Sequence, residues 1–182
     1  MHTEVMFAGF GGQGILFAGK LLALAGMEEG RQVVWLPSYG PEMRGGTANC
    51  TVVISDDPIA SPIISNPKNI VVMNRPSLEK YGRAVKPGGI LIINSSLIPD
   101  SSDRTDIDVI NVPCNQIAID TGSQKAANMV ALGALIRRSG IVDYERTKEL
   151  IKHYFEGNPK VVDINLRAFD RGAEIASQEM KS

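Results

Sequence analysis

Residues 8–22 read AGFGGQGILFAGKLL, and within them Gly9, Gly11 and Gly14 stand in the spacing G-x-G-x-x-G. No other feature limits the fold as sharply. Before it, TEVMFA at 3–8 has the content of a short buried strand. After it, residues 13–29 read as a helix that is apolar on most sides and belongs in an interior layer. A glycine turn from a buried strand into a buried helix is the opening unit of a parallel α/β sheet, and it lies at the carboxyl edge, where such sheets take ligands.

The rest of the chain continues that pattern. Strands are expected at 32–36, 47–55, 69–74, 89–94 and 106–112, most of them near-continuous runs of Val, Ile and Leu. Pro76 suits the first turn of a helix reaching about Val85, and Lys86-Pro87-Gly88-Gly89 turns the chain into the next strand. Helices are expected at 126–139, 143–155 and 160–179. The fold class is therefore α/β: a mostly parallel twisted sheet with helices on both faces, Rossmann-like, with extra C-terminal helices. At 182 residues the chain is long enough for one well-buried core and short for two. Residues 1–182 are read as a single domain.

Composition removes several functions. The formal net charge is -1 and the basic residues form no run, so neither nucleic acid nor an anionic membrane is an expected partner. MHTEV lacks the basic start of an export signal, and Lys20 interrupts the apolar stretch after Gly14. The expected compartment is the cytoplasm. The two cysteines, Cys50 and Cys114, are read as small packing residues, too few for a zinc site or an iron–sulfur cluster. His2 and His153 stand alone, and no nucleophile is accompanied by a base. No catalytic residue and no metal ligand is assigned.

What the glycine loop binds is less determined. No Ser, Thr, Asp or Asn stands at the helix start, so the first N–H groups lack a side-chain acceptor. A phosphate or a partner's carboxylate would satisfy them. A dinucleotide site needs an acid at the end of the second strand, but Trp35-Leu36-Pro37-Ser38 has none. A P-loop is excluded too, because Gly14-x-x-x-x-Gly19-Lys20 continues with Leu21 where magnesium needs Ser or Thr. Close helix–sheet packing without any ligand is the plain alternative.

A second loop, SYGPEMRGG at 38–46, leaves the end of the second strand and is expected beside the first. Tyr39 brings an amphipathic ring, Glu42 an acid and Arg44 a fixed cation with several donors. Gly40, Gly45 and Gly46 permit sharp turns. Asn74, Asn94, Ser95, Ser96 and Asn128 stand at strand or helix ends and are read first as turn formers.

GFGGQG followed by SYGPEMRGG, with MNRPSL at 73–78 and KAANMVALGAL at 125–135, resembles the gamma subunit of 2-oxoacid:ferredoxin oxidoreductases, from about residue 4 to residue 175. That resemblance implies a unit of a multi-subunit enzyme that decarboxylates a 2-oxoacid, forms the acyl-coenzyme A and passes electrons to ferredoxin. It implies alpha and beta partner subunits, and a delta subunit where the enzyme has one. Thiamine diphosphate, magnesium and iron–sulfur clusters would be held by those partners, and the isolated chain would be inert.

Under this resemblance the cofactor-binding candidates are Gly9, Phe10, Gly11, Gly12, Gln13 and Gly14 in the first loop, facing coenzyme A or a partner chain. In the second they are Ser38, Tyr39, Glu42, Arg44 and Gly45. The substrate leans to 2-oxoglutarate or a branched-chain oxoacid. Monomer and homodimer both stay open for the isolated chain. Two rivals remain: a free-standing nucleotide-binding sensor or NAD-type dehydrogenase domain, and a purely architectural subunit.

Overall fold

In a computed structural model, which describes residues 1–38, 47–61 and 63–178, six strands form one sheet in the order β2-β3-β1-β4-β5-β6. The strands are β1 (His2–Phe10), β2 (Gln32–Ser38), β3 (Thr47–Ser55), β4 (Asn69–Val72), β5 (Ile90–Asn94) and β6 (Asp108–Val112). The α-helices are α1 (Ile15–Glu28), α2 (Arg75–Tyr81), α3 (Cys114–Thr121), α4 (Ala127–Ser139), α5 (Tyr144–Tyr154) and α6 (Pro159–Gln178).

β1, β4, β5 and β6 run parallel, with Val5 opposite Asn69 and Asn69 opposite Ile90. β3 departs from the expected parallel arrangement. It lies antiparallel to both β1 and β2, with Phe10 opposite Thr47 and Ser38 opposite Asn49. The reason is in the connection. Only residues 39–46 join β2 to β3, and a parallel return needs a crossover of a dozen residues or more.

Side-chain alternation divides the core in two. Val5, Phe7, Cys50, Val52, Ile54, Val71 and Ile92 face the layer of α1, α3, α4, α5 and α6. Met6, Ile70, Val72, Leu91 and Ile93 face the other way, onto Leu78 and Tyr81 of α2. Both faces are buried, which is why these strands carry continuous apolar runs.

Several boundaries differ from the sequence reading. α1 begins at Ile15 rather than 13, because Gly14 is in the left-handed region (φ 72°). α2 begins at Arg75, with Asn74 accepting from the Ser77 N–H at 2.9 Å, and passes into a 3₁₀ turn, Gly82–Ala84, before Val85. α3 adds a helix where the sequence pattern predicts none. CNQIAIDT has no side-chain N-cap and only a short apolar face, and its helix is set by packing of Cys114, Ile117 and Ala118 into the core.

Candidate functional site

The carboxyl ends of β1, β4 and β5 share one edge with the end of β2 and the start of β3. The glycine loop rises there from Phe10, and the second loop leaves from Ser38 and returns at Thr47, opposite Phe10. Tyr39, Glu42, Arg44 and Gly45 themselves lie outside the described residues. The anchors of both loops therefore meet on one edge, as the sequence implied.

The first loop is held by its own side chain. Gln13 Oε1 accepts the Phe10 N–H at 2.7 Å, and Gln13 Nε2 donates to the Met73 carbonyl at 3.1 Å, just past β4. Gly9 is buried, and Gly11 and Gly12 are exposed. Gly12 has φ 94° and open space where a side chain would stand. Gly14 caps α1 with no side-chain acceptor, as expected, and no acid stands in the helix's first turn. Among the described residues, no acceptor is found for the N–H groups of Gly11, Gly12 or the first turn of α1. Among the described residues, the positive end of the helix is thus unsatisfied at the sheet edge.

Two hollows adjoin the loop, and both include Gly12 and Lys125. The larger, about 480 Å³, is lined mainly by Phe17, Phe155, Val161 and Ile164. The smaller, about 200 Å³, is more polar than the larger and includes Gln13, Asn115 and Gln124. Lys125 is exposed and, among the described residues, contributes the single charge lining either hollow. A cation, open amides and an apolar wall on one rim suit a ligand with an anionic head and an apolar arm.

Lys125 and the phenylalanines did not stand out in the sequence. KAANMVALGAL carries the family resemblance, but nothing in it marks a lysine in a 3₁₀ turn (Gln124–Ala126) brought to the loop by α4. Phe17 and Phe155 meet only through tertiary packing, with ring centroids 5.7 Å apart.

The amide side chains at the strand ends do more than form turns. Asn94 Nδ2 donates to the Met73 carbonyl at 3.2 Å and to Asn115 Oδ1 at 2.8 Å. Its own Oδ1 accepts the Cys114 N–H at 3.1 Å. Asn128 Nδ2 donates to the Gly14 carbonyl at 3.0 Å, tying α4 to the loop.

Chemistry requiring thiolates does not fit this chain. Cys50 and Cys114 are free and buried, and burial pushes the Cys50 thiol up to about 12 and Cys114 in the same direction. Among the described residues, no group of three His, Cys, Asp or Glu side chains could hold a metal ion. No helix of the described residues is long and apolar enough to cross a membrane.

The sequence model of the family "Pyruvate ferredoxin/flavodoxin oxidoreductase" matches residues 4–175. The chain belongs to this family. Ketoisovalerate oxidoreductase subunit VorA of Methanothermobacter marburgensis is 40% identical over 182 residues, covering 99% of this chain and 38% of the relative. The chain thus spans about two fifths of that relative's length. The 2-oxoglutarate synthase subunit KorC of Methanocaldococcus jannaschii is 35% identical, covering 98% of this chain and 96% of the relative. Among solved structures, the gamma subunit of a keto/oxoacid ferredoxin oxidoreductase from Geobacter sulfurreducens superposes with a TM-score of 0.83 at 31% identity, covering 97% of this chain and 99% of that one.

Proposed function

We propose that the chain is the gamma subunit of a 2-oxoacid:ferredoxin oxidoreductase and that its carboxyl edge forms part of the coenzyme A approach. Family membership across residues 4–175 supports the first half. The observation that carries the second is the open row of amides at Gly11, Gly12 and the start of α1, with Lys125 across the hollow. These donors suit phosphate oxygens, and the wall of Phe17, Phe155 and Ile164 suits the less polar arm of the coenzyme. The anchors of the second loop, Ser38 and Thr47, stand on the same edge.

Decarboxylation and electron transfer would be carried out by thiamine diphosphate, magnesium and iron–sulfur clusters on alpha and beta partner subunits. This chain's share is to bind and orient the acyl acceptor. The names of its relatives favour a branched-chain oxoacid or 2-oxoglutarate as substrate.

Co-expression with the partner subunits tests the reading. A stable complex should reduce methyl viologen with one of these oxoacids and coenzyme A, and the chain alone should not. No complex and no reduction with any 2-oxoacid would refute it. The nucleotide-sensor reading predicts tight NAD binding by the chain alone, which calorimetry would detect.

A further inference from the structure

We infer that Gln13 is a positioning and specificity residue whose side chain plugs the crevice where an open α/β sheet takes a nucleotide, and so turns the rest of the glycine loop outward.

The crevice is defined by topology. Ligands of open α/β sheets sit where the connections of two adjacent parallel strands leave for opposite faces. β1 and β4 are such a pair. β1 leads into α1, on the face of Phe7 and Cys50, and β4 leads into α2, on the face of Met6 and Ile70. In this chain that point is spanned by Gln13. One end of the carboxamide takes the Phe10 N–H on the β1 side at 2.7 Å, and the other donates to the Met73 carbonyl on the β4 side at 3.1 Å. Asn74 Nδ2 adds a longer contact to Oε1 at 3.5 Å.

The groups a nucleotide would use are already spent. The Met73 carbonyl accepts from both Gln13 and Asn94, and its N–H continues the ladder to Ala8 O at 2.9 Å. Asn74 Oδ1 is committed to the Ser77 N–H, and Asn94 Oδ1 to that of Cys114. A nucleotide entering here would have to break these bonds and leave buried groups unpaired.

The sequence protects the plug. A Cβ on Gly9 would stand 2.5 Å from Gln13 Oε1 and 3.1 Å from Met73 Cβ, so only glycine lets the carboxamide fold back. The first glycine of the motif makes room for the protein's own amide group, while Gly11 and Gly12 stay exposed. The familiar spacing thus serves an inverted use, with its inward side filled and its outward side offered.

The exclusion of nucleotides stands on this geometry alone. The effect on coenzyme A rests on the function proposed above. Gln13→Ala removes the plug and its hydrogen bonds; Gln13→Met fills the space without them and serves as the second variant should alanine not fold.

Amide hydrogen exchange on the full chain should show Phe10 protected and Gly11 and Gly12 fast, with Phe10 protection lost in both variants. Calorimetry with millimolar NAD should show no saturable binding to the unmodified chain. In the assembled enzyme, both variants should raise KM for coenzyme A about tenfold, leaving KM for the oxoacid unchanged.

Undiminished Phe10 protection in both variants, or saturable NAD binding to the unmodified chain, would overturn the inference; an unmoved coenzyme A KM with full activity would overturn the coenzyme A approach proposed above. An assembled enzyme inactive with every oxoacid refutes the proposed function instead. The exchange and nucleotide measurements would then still decide the plug.

Discussion

Asn128 Nδ2 donates to the Gly14 carbonyl at 3.0 Å, and a Cβ on Gly14 would stand 2.5 Å from that same nitrogen. One contact between residues far apart in sequence therefore both fixes the start of α1 and forbids a side chain there. Gly14→Ala meets the clash and a left-handed backbone at φ 72°, and should cost about 3 kcal/mol. Asn128→Ala should cost only about 1 kcal/mol, since the Gly14 carbonyl keeps the Ala18 N–H at 3.0 Å. Because removing Asn128 relieves the clash, the double variant should lose less than the sum. Urea denaturation of all three variants measures this, and strict additivity would show the two residues to be uncoupled.

The α4–α6 pair rests on two glycines at one crossing. A Cβ on Gly133 would lie 2.0 Å from the Phe169 carbonyl oxygen, and one on Gly172 would lie 1.9 Å from that of Val130. In each case the obstacle is backbone, which cannot rotate away. Either glycine replaced by alanine should destabilise the chain by about 3 kcal/mol or more, against a few tenths for alanine at an exposed α6 site such as Arg171. Thermal unfolding would show it, and an unchanged midpoint for Gly133→Ala would mean that the helices cross elsewhere.

Lys125 tests the ligand edge separately from stability. It is exposed, and its ammonium makes no ion pair among the described residues. In the assembled enzyme, Lys125→Met should raise KM for coenzyme A about tenfold, leave KM for the oxoacid alone and leave the unfolding midpoint in place. The penalty should shrink as salt is added, because a screened charge contributes less. Equal losses for both substrates would move Lys125 away from the acyl acceptor.

The sheet and its first glycine loop were legible because local chemistry decides them. Doubly buried strands must be apolar throughout, and Gly9, Gly11 and Gly14 mark a strand–helix turn whatever binds there. The antiparallel β3 was also present in the sequence, in the short connection 39–46, but alternation of strand and helix elsewhere outweighed it. α3 left little trace, since its helix comes from packing of Cys114 and Ile117 rather than from capping. Lys125 and the inward turn of Gln13 could not be read. Both depend on which distant backbone groups arrive beside them: Gly12 for the one, Met73 for the other.

The buried thiols give the chain an alkaline limit. Burial in the core pushes Cys50 from its ordinary 9.0 up to about 12, and Cys114 is raised for the same reason. Unfolding returns both to ordinary values, so above pH 9 the unfolded chain releases protons that the folded chain keeps. Their stabilisation is complete below pH 9 and is lost as pH rises through the folded values. The urea midpoint should therefore fall more steeply above pH 9 for the unmodified chain than for Cys50→Ala, once each is referred to its own midpoint at about pH 8. Ellman's reagent at about pH 8 should leave both thiols untouched until denaturant is added. Rapid reaction of either cysteine in the native chain would show that its side chain is not enclosed in the core.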